Sequence, residues 1–138
     1  VLNAGIVLKF LLQFGYNKIQ IKKQRKIMCI FCKIVQGEIP NQTILESDDF
    51  LAFNDINPQA NVHAIVIPKI HVESFADVSG ETMKDMTLFI QEVTKKLNVE
   101  NDGYRLITNI GSNGGQEVPH LHFHLLGGQA LRGLVNKG

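Results

Sequence analysis

Three of the five histidines lie within one run of five residues, where His120, His122 and His124 alternate with Leu121 and Phe123. Successive side chains of a β-strand point to opposite faces, so this spacing predicts three imidazoles on one face and apolar side chains on the other. We expect the imidazoles to follow one another at roughly 6–7 Å. Because an unperturbed imidazole is largely neutral at cellular pH, this row can supply nucleophiles or metal ligands.

A glycine-rich loop, GSNGGQ at 111–116, precedes the histidine run. Its three glycines let main-chain N–H groups approach an anion closely, and Asn113 and Gln116 add side-chain donors. Such a loop alone is equally typical of a plain hairpin connection. Its position directly before three histidines favours a site that binds phosphate beside neutral imidazoles.

Cys29 and Cys32 have the C-x-x-C spacing of metal or redox sites. We expect no secretory signal, and in such a chain two cysteines favour a reducing compartment and no disulfide framework. We therefore expect a cytoplasmic protein. Three interpretations of the pair stay open: structural zinc, two reduced buried thiols, or a redox pair.

Hydrophobic spacing predicts an α+β fold. A short helix is expected over 29–36 and a long one over 80–97, with Ser79 as its N-cap. The predicted strands are 43–46, 50–55, 62–68, 104–110 and 119–126. Strands in such close succession favour an antiparallel sheet of about five strands with the long helix packed on one face.

The charges are unevenly distributed although the net charge is only +1. Residues 1–27 carry six basic and no acidic residues, whereas residues 28–138 carry eight basic and thirteen acidic ones, a net of −5. An acidic body argues against a nucleic-acid-binding face, which needs a basic patch. No apolar stretch reaches the roughly 18–20 residues of a membrane span, so we expect neither nucleic acid nor membrane as a partner.

The first 27 residues are expected to be an extension outside the fold, with the native protein starting at Met28 and the domain occupying 28–138. Their basic residues follow the apolar stretch, whereas a secretory signal has its positive charge before it. An amphipathic segment lying on a membrane surface is the alternative.

The run HLHFHLL at 120–126, preceded by GGQEV, closely resembles the H-x-H-x-H-x-x motif of the histidine triad (HIT) superfamily, and more narrowly its nucleotide-binding (HINT) branch. The resemblance covers the 110 residues from Cys29 to the C-terminus and leaves residues 1–27 uncovered. It continues through IFCKIVQGEIP (30–40), FNDINPQANVH (53–63), VIPKIHV (66–72), GYRLITN (103–109) and HLLGG (124–128).

This resemblance implies hydrolysis of purine nucleoside phosphoramidates, of the adenosine 5′-monophosphoramidase type, through a nucleotidyl-histidine intermediate. His122 would be the nucleophile, with one ring nitrogen held by the carbonyl of His120. His124 would hydrogen-bond a phosphoryl oxygen or the bridging atom, and His63 would be the family's fourth histidine. No cofactor is implied for the chemistry itself.

The resemblance also implies how a purine nucleoside monophosphate such as AMP is held. Asp55 would accept the ribose hydroxyls, and Asn54 lies next to it. The apolar slot for the base would comprise Ile30, Phe31, Ile34, Phe53, Ile56 and Ile65. Phosphate contacts would come from Asn109, Gly115, Gln116, Glu117 and Val118, together with His122 and His124. Glu117 departs from relatives that carry a serine there to protonate the leaving amine, which leaves the general acid open.

More distant relatives, including galactose-1-phosphate uridylyltransferase, bind zinc through C-x-x-C and two histidines. By that resemblance Cys29, Cys32, His71 and His120 are the candidate ligands of a structural zinc. The branch also implies a homodimer, with the long helix and a sheet edge at the interface. The alternatives to a phosphoramidase are a diadenosine polyphosphate hydrolase and a non-catalytic zinc- or nucleotide-binding module.

Overall fold

The computed structural model of the chain describes residues 29–134, together with positions 9, 12–13, 15 and 17–20. The expected extension at 1–27 and start at Met28 lie mostly outside these residues and stay predictions. Within the described residues, no helix is both long and apolar enough to cross a membrane.

A single antiparallel sheet of five strands forms the centre of the fold. The strands are β1 Thr43–Glu46, β2 Phe50–Asn54, β3 Val62–Pro68, β4 Arg105–Ile107 and β5 Phe123–Gly127. Their order is β1-β2-β3-β5-β4, so the last strand in the chain is inserted between β3 and β4. Together with a long and a short helix, this sheet confirms the predicted α+β class.

The long helix, α2 (Gly80–Lys96), begins where its sequence signals place it. The Ser79 hydroxyl accepts a hydrogen bond from the N–H of Thr82 and thereby satisfies one of the unpaired donors at the helix start. Met86 and Val93 are fully buried against one face of the sheet. The apolar stripe of this helix is therefore core packing, as its three- and four-residue spacing predicts.

The short helix, α1 (Ile30–Val35), covers the opposite face. Phe31, Cys32 and Ile34 pack there with Phe53 of β2 and Ile65 of β3. Both faces of β2 and β3 are therefore covered by a helix. In the β3–β5 ladder Ile65 is directly opposite His124. The apolar cluster under α1 therefore adjoins the histidine motif.

The histidine run is not a strand over its whole length, which corrects the expectation for 119–126. The strand β5 begins only at Phe123. Before it, the N–H of His120 donates to the carbonyl of Val118 in a tight turn around Pro119, and the N–H of Leu121 donates to Val72 rather than to a sheet neighbour. The strand expected over 104–110 is likewise reduced to Arg105–Ile107, whose pairing with β5 ends at the Ile107–His124 pair.

Candidate active site

His122 is held in one orientation by its own main chain. Its Nδ1 lies 2.7 Å from the carbonyl oxygen of His120. A carbonyl only accepts, so Nδ1 carries the ring proton and Nε2 keeps a free lone pair. The hydroxyl of Thr108 donates to the carbonyl of His122 at 2.8 Å and fixes the backbone on the β4 side. The arrangement presents Nε2 as a nucleophile.

Two of the three imidazoles of the histidine run are buried, so they do not form a row that is open to solvent. His120 is fully buried and His122 is 5% exposed, whereas His124 is partly buried. The ring of Phe31, from α1, lies 5.1 Å from that of His122 and 5.9 Å from that of His120. Burial lowers the pKa of His122 because a charged imidazolium loses its hydration there.

His124 is paired with His63 of β3, and the two ring nitrogens, Nδ1 and Nε2, are 2.9 Å apart. The pKa of His124 is lowered to about 4, chiefly by burial and further by the neighbouring His122 and His63. Its ring centroid is 5.1 Å from that of His122. The structure thus brings the nucleophile candidate, His124 and His63 into one cluster of imidazoles.

Asp55 immediately follows β2 and reaches the same cluster. One carboxylate oxygen accepts the N–H of Asn57 at 2.8 Å, and the other lies 3.3 Å from Nε2 of His63. The expected ribose contact therefore has to share this carboxylate with a histidine. Asn54, beside it, is exposed.

The expected base slot is only partly assembled. Phe31, Ile34, Phe53 and Ile65 lie in the core under α1, and Val118 packs against them. Ile30 is 46% exposed and Ile56 fully exposed, so neither belongs to that packed cluster. Both stay available to a ligand from the solvent side.

The glycine-rich loop is braced by Gln116. Its amide nitrogen donates to the carbonyls of Glu73 at 2.6 Å and Val118 at 3.0 Å, and its amide oxygen accepts from the N–H of Gly111 at 3.1 Å. Both hydrogens of the amide are thereby used, and the prediction that this side chain offers a donor to phosphate is wrong. A Cβ at Gly114 would lie 2.3 Å from the carbonyl oxygen of Ile110, so the loop also needs glycine at that position.

Glu117 is exposed at the end of this loop, and its charge raises the pKa of His122 against the effect of burial. It therefore lies at the border of the site, and its charge acts on the imidazole of His122. Asn109 is half-buried and follows Thr108, which bonds the carbonyl of His122. Gly115 is exposed with a positive φ of 75°.

The four candidate metal ligands form a separate, closed cluster on the far side of His120. Their ligand atoms all lie within 4.8 Å of one another. Cys29 Sγ is 3.3 Å from His120 Nδ1, and Cys32 Sγ is 3.2 Å from His71 Nδ1 and 3.6 Å from His120 Nδ1. Sulfur and nitrogen ligands of a tetrahedral zinc are about 3.5 Å apart, so the donor set fits this metal.

The ring of His120 is oriented for such a role. Its Nε2 donates to the carbonyl of Pro68 at 2.8 Å, which leaves the lone pair of Nδ1 directed at the sulfurs. The pKa of His120 is lowered to about 4, mainly by burial, so the ring is neutral as a ligand must be. Neither cysteine is in a disulfide.

Comparison with known proteins agrees with this geometry. The family model described as "HIT domain" matches residues 36–131. The chain belongs to the HIT domain family. It is 55% identical over 101 residues to a HIT-like protein of Helicobacter pylori, with 73% of this chain and 97% of that protein aligned. It is 42% identical over 105 residues to the purine nucleoside phosphoramidase of Escherichia coli K12, with 74% of this chain and 88% of that protein aligned.

Solved structures give the same assignment. A histidine triad protein of Clostridium difficile superposes with a TM-score of 0.73 at 43% identity, covering 78% of this chain and 96% of the other. A HIT family hydrolase of Legionella pneumophila superposes with a TM-score of 0.72 at 42% identity, covering 75% and 96%. The chain is thus a HIT-family hydrolase.

Several groups that shape the HIT site could not be chosen from residue type. Thr108 holds the backbone of His122, Pro68 orients His120 through its carbonyl, and Asn57 holds Asp55 through its N–H. Two of these three contacts are made by main-chain atoms, which every residue carries. Only the hydroxyl of Thr108, adjacent to Asn109 in a motif already singled out, left a signal in the sequence.

Proposed function

We propose that this HIT-family hydrolase cleaves purine nucleoside phosphoramidates, with adenosine 5′-monophosphoramidate as the reference substrate, through a nucleotidyl-histidine on His122. The observation that carries this proposal is the contact between His122 Nδ1 and the carbonyl of His120, at 2.7 Å, which leaves Nε2 as a lone-pair nucleophile. The 42% identity to the purine nucleoside phosphoramidase of E. coli supports the substrate class.

The reaction takes two displacements at phosphorus. His122 Nε2 attacks the α-phosphorus, the bond from phosphorus to the leaving amine breaks, and the amine departs with a proton. Water then attacks the same phosphorus, breaks its bond to Nε2 and releases the nucleoside monophosphate. Splitting one displacement into two in this way is the purpose of covalent catalysis.

His124 is the group placed to assist. Its ring lies beside that of His122, with 5.1 Å between centroids, and is partly buried. A hydrogen bond from His124 to a phosphoryl oxygen or to the bridging nitrogen would stabilise charge that develops in the transition state. The nucleophile is a side chain, so we expect the chemistry to need no cofactor.

The nucleotide would lie between α1 and the turn after β2. Ile30 and Ile56 are exposed there and can cover a purine, while Asp55 can accept hydrogen bonds from ribose hydroxyls. The loop ending at Val118 would contact phosphate through its main chain, since the side chain of Gln116 is occupied.

Rapid acid quench followed by peptide mass spectrometry tests this proposal. Enzyme mixed with adenosine 5′-monophosphoramidate should carry an adenylyl group on His122, and His122→Gln should carry none. Gln is preferable to Ala because His122 is buried, so Ala would add a cavity to the loss of the nucleophile.

The His122→Gln variant should also retain less than about one per cent of the wild-type rate, a barrier increase of at least about 2.7 kcal/mol. An adduct on another residue, or a faster variant, would reject the assignment. Parallel assays with diadenosine polyphosphates show whether that competing substrate class is preferred.

We also propose that Cys29, Cys32, His71 and His120 hold one zinc ion. The closed set of two thiols and two histidines, with no position left for substrate, is typical of a structural site. The metal would contribute stability by joining α1 to the segments that carry the two histidines. The displacement at phosphorus would proceed on the other side of His120.

A further inference from the structure

The turn between β2 and β3 makes one contact with the histidine cluster that neither the family assignment nor the reaction explains. The main-chain N–H of Gln59 donates to Nδ1 of His63 at 3.0 Å. An N–H can only donate, so this ring nitrogen must accept. A neutral imidazole has one proton, which must then be on Nε2 of His63.

The tautomer of His63 also determines the tautomer of His124. Nε2 of His63 lies 2.9 Å from Nδ1 of His124 and 3.3 Å from a carboxylate oxygen of Asp55. Two neutral rings facing each other need one donor and one acceptor. Because His63 supplies the proton, Nδ1 of His124 accepts, and His124 carries its own proton on Nε2.

We propose that Gln59 is a positioning residue whose main-chain N–H fixes the tautomer of His63 and, through His63, makes His124 a donor toward the substrate. His124 Nε2–H can then donate to a phosphoryl oxygen or to the leaving nitrogen. With the opposite tautomer, Nε2 of His124 would direct a lone pair at an anionic substrate. The kinetic part of this inference rests on the proposed function, whereas the tautomers themselves do not.

The N–H of Gln59 also disfavours metal binding by the cluster of Asp55, His63 and His124. Asp55, His63 and His124 offer three ligand atoms separated by 2.9, 3.3 and 3.9 Å. Ligands at about 2.0–2.1 Å around zinc would be roughly 3.3 Å apart, so the spacing alone would admit the metal. A histidine that binds metal through Nε2 must have its proton on Nδ1, facing an acceptor. Nδ1 of His63 faces a donor instead.

His120 shows the opposite arrangement. Its outer nitrogen faces the carbonyl of Pro68 and its inner nitrogen faces the two thiols. Two neighbouring clusters with suitable donor spacing are therefore distinguished by one main-chain group each: a carbonyl behind His120 favours metal, and an N–H behind His63 disfavours it.

The turn is built to hold this N–H in place. The N–H of Asn57 donates to Asp55 at 2.8 Å, and the side-chain amide of Gln59 donates to the carbonyl of Asn57 at 3.1 Å. The far end of the turn is tied to the chain after β5, where the N–H of Asn61 donates to the side chain of Gln129 at 2.7 Å. These bonds restrict the turn on both sides of Gln59.

Nitrogen-15 NMR of histidine-labelled, zinc-loaded protein at pH 8 tests the tautomers directly, since the chemical shifts of protonated and unprotonated ring nitrogens are well separated. We expect His63 and His124 as Nε2–H tautomers and His122 as the Nδ1–H tautomer. A His63 or His124 protonated on Nδ1 would overturn the proposal, whatever substrate the enzyme prefers.

Gln59→Pro removes the N–H, and Gln59→Ala is the matched control that keeps it while removing the side-chain bond to Asn57. The Pro variant should lose the single His63 tautomer and about tenfold or more of kcat, with KM nearly unchanged, because acid–base assistance contributes about 10²–10⁴-fold. It should also be inhibited by added Zn²⁺ at about tenfold lower concentration. The Ala variant keeps the N–H and the bonds of Asn57 and Asn61, so it should keep the His63 tautomer and change far less than the Pro variant in kcat and in Zn²⁺ inhibition.

Equal behaviour of the two variants would overturn the proposal, and if the Pro variant does not fold, the spectrum of the unaltered protein decides it. An unaltered protein with the expected tautomers that fails to hydrolyse phosphoramidates would reject the proposed function and leave the tautomer assignment intact.

Discussion

His120 is the residue through which the two candidate sites are connected. Its carbonyl orients the ring of His122, while its own ring is directed at the thiols of Cys29 and Cys32. The proposed zinc would fix this side chain and, with it, the carbonyl of the same residue. At the residue scale, the zinc cluster would therefore support the geometry of the nucleophile without contacting the substrate.

The pH dependence of catalysis follows from burial of the triad. Protonated His122 has no lone pair, and its pKa is lowered from 6.5, mainly by burial. The pKa of His124 is lowered to about 4. Because kcat/KM reports on groups of the free enzyme, we expect the midpoint of its acid limb to lie below pH 6.5.

Initial rates between pH 4 and 8, with the His122→Gln variant as the blank for acid hydrolysis of the substrate, measure this profile. A midpoint of the acid limb at or above pH 6.5 would contradict the buried, neutral nucleophile.

Asp55 should distinguish ribose from dideoxyribose. The Asp55→Ala variant should bind AMP more weakly than wild type by about 1.5–3 kcal/mol for each charge-assisted bond lost, and should bind 2′,3′-dideoxy-AMP with a much smaller penalty. Since the contact with His63 is lost for both ligands, the difference isolates the ribose. Titration calorimetry provides the four affinities, and equal losses would leave Asp55 with the histidine contact alone.

At the element scale, α1 contributes to both sites because neighbouring residues of this segment contact different clusters. Cys29 is its N-cap and Cys32 lies within its first turn, so both thiols point to the same side and belong to the candidate zinc cluster. Phe31, between them, packs on the ring of His122. A helix of six residues is too short to be stable by itself, so its position over the triad depends on tertiary contacts and, by our proposal, on the metal.

Removing a thiol should therefore destabilise the fold more than it impairs the chemistry. We expect about one zinc per chain by elemental analysis, and a melting temperature lower by at least about 5 °C in Cys32→Ser or after chelation. Lys33→Ala, the next residue on the same helix, is the control and should keep both metal and melting temperature. The folded fraction should stay active, unlike His122→Gln. Metal-free protein that melts identically with and without chelator would leave two reduced thiols.

At the scale of the whole molecule, one sheet edge and part of α2 remain apolar at the surface. Leu88 of α2 is 59% exposed, and Tyr104, Leu106 and Ile110, in and around the edge strand β4, are each about 40% exposed. Edge strands with apolar side chains are usually covered. We therefore retain the expectation of a homodimer, in which a two-fold axis would pair the apolar sheet edge at β4 with itself.

A charge in the middle of that surface should separate the subunits. Leu106→Asp should reduce the mass measured by light scattering from twice the chain mass of 15.4 kDa to the chain mass. Ile70→Asp introduces the same charge at another exposed apolar residue, outside β4 and α2, and should leave the dimer intact. A wild-type protein that is already monomeric at micromolar concentration would refute the dimer.

The local elements and the residue types of the site were determined by the sequence alone. Alternating and helical spacing predicted β2, β3 and α2 almost to the residue, because these patterns depend on neighbours within a few positions. The histidine run, the C-x-x-C pair and the motifs around them indicated the HIT family. The ligand cluster drawn from Cys29, Cys32, His71 and His120 came together as the resemblance implied.

Only the tertiary structure decided what these residues face. It placed β5 between β3 and β4, started that strand only at Phe123 and buried His120 and His122, because strand pairing and burial depend on residues far apart in sequence. It also showed that Gln116, which was predicted to donate to phosphate, donates instead to a main-chain carbonyl and stabilises its own loop. It also directed the N–H of Gln59 at His63. Main-chain groups are the same in every residue, so their partners, and with them the tautomers of the catalytic histidines, follow only from the folded backbone.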